Sequence, residues 1–342
     1  MQGYAEATLS DQEGRAHWRA LFDDVKGQRL MAPSFPRTLV KLGALCALLG
    51  AALWLAWFGE SWVALGAGYA ALALLLAQFA FMGHDAGHGT VGRRAAVNQA
   101  FGQIAMTLVG GLGFDEWTRR HRLHHQFCQD EKGDPDMAVA FIVSLTKASQ
   151  RRKGTLGRSL TRYQAIYIWP LSVFFGYSQR HLSQAAVLGD LRRNRLDGAV
   201  LGLHFLLWFG VPCLLLGVPV SAALLAYLVP MTILGPYLAA IFWVNHIGMP
   251  LVERPESFSF FEHQVVTSRT IVNPPRWDWL FGGLNFQIEH HLFPKVPPMR
   301  LAAVQAIVRR HFAQHGIPYH GVPFWAALKS ITAHLRAIAR GS

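Results

Sequence analysis

Four stretches of this chain are long and apolar enough to cross a lipid bilayer, and they restrict the possible folds more than any other feature. They occupy residues 39–58, 61–83, 197–217 and 220–245. A bilayer core takes about 20 apolar residues as a helix. Within lipid no water meets a stray backbone amide, so a spanning segment must be a helix or part of a closed barrel. Continuous apolar runs of this length are helices. Overall usage agrees, with 52% of residues apolar and 15% charged, far from the balance of soluble chains. The first fifteen residues carry acids and no apolar core, so no cleavable signal peptide is expected. The expected class is all-α: an integral membrane protein with four transmembrane helices in two hairpins and a cytoplasmic helical cap.

Charge orients the hairpins. The joins at Gly59–Glu60 and Val218–Pro219 carry no Lys or Arg, whereas Arg93, Arg94, Arg119, Arg120, Arg122, Arg151, Arg152, Lys153, Arg192 and Arg193 fall in the other segments. The positive-inside rule then puts those segments and both termini in the cytoplasm. A single domain, 1–342, is expected. Its parts are a cytoplasmic segment 1–37, a first hairpin 39–83, a cytoplasmic region 84–196, a second hairpin 197–245 and a cytoplasmic region 246–342. The stretch 95–113 contains Asn98, Gln99 and Gln103 and ends in a glycine cluster, so it is expected to be interfacial or re-entrant. Residues 164–177 are too short to span and are expected to lie along the interface.

Three histidine clusters follow the apolar segments: His84 and His88, then His121, His124 and His125, then His290 and His291 preceded by Gln287. Seven of the chain's sixteen histidines sit in these three groups, which packing does not require. Imidazole suits iron, zinc and copper, and one zinc takes three or four protein ligands. This many donors point to two metals. Spacings of i, i+3 and i+4 place each cluster on one helix face. An even number of crossings separates every pair of clusters, so all can share the cytoplasmic side. His246, beside Asn245 at the end of the last span, is a further candidate ligand.

The sequence resembles the membrane-bound fatty acid desaturases, the histidine-box family. The resemblance rests on His84-Asp-Ala-Gly-His88, on His121-Arg-Leu-His124-His125 followed by Gly133-Asp-Pro-Asp136, on Asn245–Pro250, and on Gly282–Pro294 with its Gln-Ile-Glu-His-His core. It implies two iron ions held by His84, His88, His121, His124, His125, His246, His290 and His291, with O2 as co-substrate and an acyl chain as substrate. Many members begin the third box with histidine, whereas here Gln287 stands there, as in front-end desaturases. Those usually carry a fused cytochrome b5 module, and no His-Pro-Gly-Gly haem loop is present. Three roles stay open for Gln287: binding iron, bonding a bound water, or orienting a neighbouring ligand.

The resemblance implies oxygen-dependent removal of one hydrogen from each of two adjacent methylenes in the acyl chain of a lipid, acyl-CoA or acyl-carrier protein. Trp117, Trp277, Trp279, Phe281 and Phe286 lie beside the boxes and are candidates to line a substrate tunnel; they equally fit an interfacial aromatic belt. Asp85, Asp115, Glu116, Asp134, Asp136 and Glu289 are near enough in sequence to orient ligating histidines through the second ring nitrogen. No nicotinamide, flavin, haem or iron–sulfur motif is evident, so electrons are expected from a separate carrier, a ferredoxin, cytochrome b5 or similar protein. The formal net charge of +12 suits an acidic carrier and equally anionic lipid headgroups; nucleic acid has no support beyond charge. Cys46, Cys128 and Cys213 form no paired motif and are expected as small apolar fillers. His204, within a span, is expected to bond across helices. His263 stands far from the third box, and His17, His181, His311, His315, His320 and His334 are expected at surfaces or interfaces. A hydroxylase or acetylenase on the same scaffold is the nearest rival. A metal transporter is remote, because transport sites sit near the bilayer midplane.

Overall fold

The computed structural model describes residues 5–138 and 143–340. The chain is predominantly helical. Helix α1 (Asp11–Gly27) opens on a capping box, in which Ser10 accepts from the Glu13 amide while Glu13 accepts from Ser10. That reciprocal pair satisfies donors a helix start leaves open. Among the described residues four helices are long and apolar enough to cross a membrane: α2 (Phe35–Phe58), α3 (Trp62–Gly87) and two further on. Between α3 and α5 (Phe114–Phe127), α4 (Ala95–Gly102) runs on as a π-helical segment, Gln103–Val109. Then come α6 (Phe175–Gly189), α7 (Arg195–Leu215, with a π-helical turn at Leu206–Gly210) and α8 (Val220–His246). Helices α7 and α8 complete the set of four. The remaining helices named below are α9 (Phe260–Thr267), α10 (Gln287–Leu292), α11 (Leu301–His315) and α12 (Phe324–Ala339). A short parallel pairing joins β1 (Thr270–Ile271) to β2 (Gly321–Val322).

One boundary differs from the sequence-based expectation, and one stretch agrees with it in not being a helix of crossing length. Helix α3 runs to Gly87, so His84 belongs to its last turn and is not in a segment beyond it. Residues 95–113 form helix through Val109 in two short pieces and are not among the helices long enough to cross.

The chain groups into two compact units. One comprises Met1–Ala32, Arg120–Pro170 and Ala240–Ser342; the other comprises Pro33–Arg119 and Leu171–Ala239. In the first, Leu21 and Val25 of α1, Phe261 and Val265 of α9, Ile288 and Leu292 of α10, and Val304, Val308 and Phe312 of α11 share one apolar core. Burying each such side chain contributes about 1.5–3 kcal/mol, so the short α10 is held by its surroundings and not by its own propensity.

In the second unit α2 and α3 approach closely at Gly68, where a Cβ would lie 2.7 Å from the Ala56 amide nitrogen. Asp197, buried on α7, accepts from Gln103 Nε2 (2.7 Å) and from the backbone amides of Asp115 (3.1 Å) and Glu116 (3.0 Å). It thereby caps the start of α5, where amides lack helical partners. His204 bonds across helices as expected: Nδ1 donates to the Leu108 carbonyl (2.8 Å) and Nε2 pairs with the Tyr227 hydroxyl (3.0 Å).

Candidate metal centre

Six of the eight candidate ligand histidines lie in the first unit. His121, His124 and His125 come from one face of α5, His246 from the last residue of α8, and His290 and His291 from α10. Their rings gather closely. The centroids of His124, His246 and His291 are 4.9–5.3 Å apart. His125 stacks on His291 at 4.3 Å and meets His290 at 4.9 Å and His121 at 4.6 Å. The Nε2 atoms of His121 and His125 are 3.1 Å apart.

Three of these rings have their outer nitrogen pinned. His124 Nδ1 donates to Asp134, at 3.0 and 3.1 Å from its two oxygens. His246 Nδ1 donates to the Thr267 carbonyl at 3.0 Å, and His291 Nδ1 to Gln264 Oε1 at 2.8 Å. A carbonyl accepts only, so the Nδ1 of His246 carries the proton; the carboxylate and the Gln264 oxygen fix the other two alike. Each Nε2 then points inward as a potential donor to metal. That is how outer partners set a ligating imidazole. His291 Nε2 is buried and makes no hydrogen bond among the described residues. A buried nitrogen without a partner costs about 1–3 kcal/mol, which coordination would remove. The donor set fits a borderline transition ion such as iron.

Local folding explains the pinning. After α5 the chain turns through Gln129, in the left-handed region at φ 62°. Its amide donates to Asp134 Oδ2 (2.9 Å), and Asp136 donates its amide to Asp134 Oδ1 (2.9 Å). The Gln129 side chain donates to the carbonyl of His246 (2.5 Å). Burial opposes protonation of His124, but the carboxylates of Asp134 and Asp136 outweigh it and hold its pKa up to about 9. For His291, burial and then the surrounding imidazoles of His125, His246, His124 and His290 act together and keep it well below its ordinary value.

Gln287 donates from Nε2 to His246 Nε2 at 2.8 Å, while its Oε1 accepts from Asn245 Nδ2 at 3.2 Å. Arg269, which sequence reasoning missed, wraps the end of α8. Its Nε donates to the Val244 carbonyl, another guanidinium N–H to the Ile247 carbonyl (2.5 Å), and its backbone amide to Asn245 (3.1 Å). Gln264, Thr267 and Gln129 were missed as well. None is an acid or histidine, so no local signal marks them.

Of the acids expected to orient histidines, Asp134 does so. Asp136, exposed, lies 3.5 Å from His124 Nδ1, and Asp85 lies 3.5 Å from His84 Nδ1. Asp115 instead accepts from Gln99, Glu116 from Ser183, and Glu289 from Thr270 and Tyr319. Cys128 is buried with its Sγ 3.4 Å from His246 Nδ1, grouped with His124, His246 and His291. Burial, then Asp134, raises its pKa well above the ordinary thiol value. It is therefore a neutral thiol, consistent with a filler. His263 donates to the Cys128 carbonyl at 2.8 Å. His334 corrects the surface expectation: it is buried and bonds to the Leu145 carbonyl at 2.9 Å.

His84 and His88 lie in the second unit, on the last turn and C-cap of α3, with rings 4.6 Å apart. Of the aromatic residues, Trp117 is in that unit, 5.7 Å from the His84 ring. In the first unit Trp277 and Trp279 are exposed, Phe281 is buried against Phe324, and Phe286 belongs to the apolar core.

The fatty acid desaturase profile matches residues 60–323. Similar curated proteins include the acyl-lipid (9-3)-desaturase of Borago officinalis, 28% identical, with 78% of this chain and 62% of that protein aligned. The Delta(8)-fatty-acid desaturase of the same plant is 29% identical over 81% of this chain and 65% of its own length. The Delta 8-(E)-sphingolipid desaturase of Kluyveromyces lactis is 26% identical over 99% of this chain and 62% of its own length. The chain thus spans less than two thirds of the length of these relatives. The profile covers both the apolar helices from α3 onward and all three histidine boxes. The chain belongs to the fatty acid desaturase family.

Proposed function

We propose that this protein is an oxygen-dependent desaturase that introduces a double bond into an acyl chain. The observation that carries the reading is the convergence of His124, His246 and His291, each with Nδ1–H held by a separate acceptor. The proposed ligands are His121, His124, His125, His246, His290 and His291. His84 and His88 join them on the match of the first box to the family pattern. Two iron ions there would supply the activation of O2 needed to break an unactivated methylene C–H bond. Per double bond, O2 takes up two electrons, two protons and two hydrogens from adjacent carbons, leaving two waters.

The chain's own part is positional. Asp134, Thr267 and Gln264 hold three imidazoles in one tautomer, so no reorganisation of the protein is needed as charge develops. All six residues of α10 are buried, which keeps bulk water from the third box. The two electrons come from a separate acidic carrier, drawn by the chain's positive charge. Helices α2, α3, α7 and α8 form two transmembrane hairpins, with the boxes and both termini on the cytoplasmic face. Two relatives are named for acyl-lipid and sphingolipid substrates, which favours a chain carried on a lipid. Trp117, beside Gly87 and His84, is the leading candidate to touch it.

The test is the lipid profile of a desaturase-deficient host expressing the wild type or His291→Ala, with double bonds located by mass spectrometry. A new unsaturated product confined to the wild type is the expected result. A new hydroxylated product would transfer the assignment to a hydroxylase, and identical profiles would refute the activity on that host's lipids.

A further inference from the structure

A second histidine cluster lies within the first unit, apart from the three boxes in sequence. His17 projects from α1, while His311 and His315 sit at i and i+4 on the last turn of α11. His17 Nδ1 and His311 Nε2 are 3.0 Å apart. The ring centroids are separated by 5.2 Å (His17–His311), 5.0 Å (His17–His315) and 4.2 Å (His311–His315). One ligand-capable nitrogen from each residue lies within 4.8 Å of the other two.

From these residues we propose a second metal site, in which His17, His311 and His315 bind one borderline divalent cation such as Zn2+ and clip α1 to α11. Its fourth position is open to water.

Four observations support it. First, a tetrahedral zinc with nitrogens at about 2.0–2.1 Å sets them about 3.3 Å from one another. The His17–His311 pair is already near that spacing, and His315 closes the remainder by a small swing of an exposed ring. Second, His315 Nδ1 donates to the His311 carbonyl at 2.9 Å, so its lone pair is on Nε2. Third, the cluster has a dry back and a wet front. His17 stacks on Phe261 at 5.4 Å, and Phe261 packs on Phe312 at 5.7 Å, whereas His315 is exposed. A cation therefore has an entry path and a preformed wall. Fourth, the surroundings of two of the rings favour the neutral form. Burial, then His315 and His17, pulls His311 down to about 4, and burial and His315 lower His17. Neutral imidazole is the form that binds metal.

The clip would act on the same core as the third box. Leu21 and Val25 of α1 are buried with Ile288 and Leu292 of α10, so docking of α1 supports the helix that carries His290 and His291. The clip does not depend on iron in the boxes, and the two sites are tested separately.

The probe is Zn2+ alone, titrated against the full-length, iron-loaded protein, with His315→Ala and His17→Gln as variants. The wild type is expected to bind one zinc more than either variant, or to lose at least roughly tenfold in affinity on either substitution. Cobalt in its place should give tetrahedral visible absorption in the wild type only. Limited proteolysis should cut near α1 more slowly with zinc present, again only in the wild type. His315 is exposed, so its alanine variant keeps the fold, and thermal unfolding of the metal-free forms checks this. The same variant in the host assay separates the clip from the desaturase reading. Zinc stoichiometry and affinity that are equal in the wild type and both variants would overturn the proposal.

Discussion

Replacing Arg269 by Met tests how the protein aims His246. The wild-type guanidinium serves two carbonyls that flank His246, those of Val244 and Ile247, and also reaches Ser330. Methionine fills much of the same space and donates nothing. Two carbonyls at a helix end lose their partners, at about 1–3 kcal/mol each. Against this, burial pulls the Arg269 pKa from 12.5 to about 10. At about 1.4 kcal/mol per pH unit, that is about 3–4 kcal/mol of charge-burial cost that Met removes. The two effects nearly cancel, so thermal stability should move little. Iron affinity should not be spared, because the frame of a ligating histidine is loosened; about a 10–100-fold loss is expected. The assay is competition for ferrous iron with a chelator of known strength, beside thermal unfolding of the metal-free forms. Lysine, with one compact charge and no fork, should fall between. If Arg269→Met binds iron as tightly as the wild type, the carbonyl clamp does not position His246 and the reasoning fails. A collapse of stability would refute the cancellation instead.

Two further outcomes follow from the same geometry. Asp134→Asn keeps the shape beside His124 but lets the imidazole take either tautomer; iron occupancy in metal-limited medium should drop about 10–100-fold, and unchanged occupancy would remove Asp134 from the site. Asp197→Ala strips the Asp115 and Glu116 amides and Gln103 of their shared acceptor. It should lower stability by about 2–4 kcal/mol, read by denaturant unfolding in detergent, and Asn should recover part of the loss.

The parts legible in sequence are those with a local period. The apolar runs gave four helices within a few residues of their ends, because a bilayer-length helix needs no distant partner to be recognised. The boxes were legible for the same reason: i, i+3 and i+4 spacing puts donors on one face whatever follows. What escaped is long-range. Gln264 meets His291 across 27 residues, and Thr267 meets His246 across 21. Arg269 is one arginine among many basic residues until the end of α8 is folded against it. His334 reads as a surface position because only tertiary packing separates a buried histidine from an exposed one, and the convergence of His17, His311 and His315, none of them buried, depends on α1 meeting α11. Asp134 was found among six candidate acids, but its selection depended on the turn at Gln129, whose positive φ no neighbouring residue announces.

The hydrogen bonds from Asn245 to Gln287 and from Gln287 to His246 tie the end of α8 to the start of α10. Asn245 and His246 are neighbours in the chain, so the Gln287 carboxamide is gripped through both its oxygen and its nitrogen by one helix turn. A slide of α10 along α8 would break both bonds together. The last turn of α8 and the third histidine box therefore keep a fixed register, set by a side chain that carries no charge.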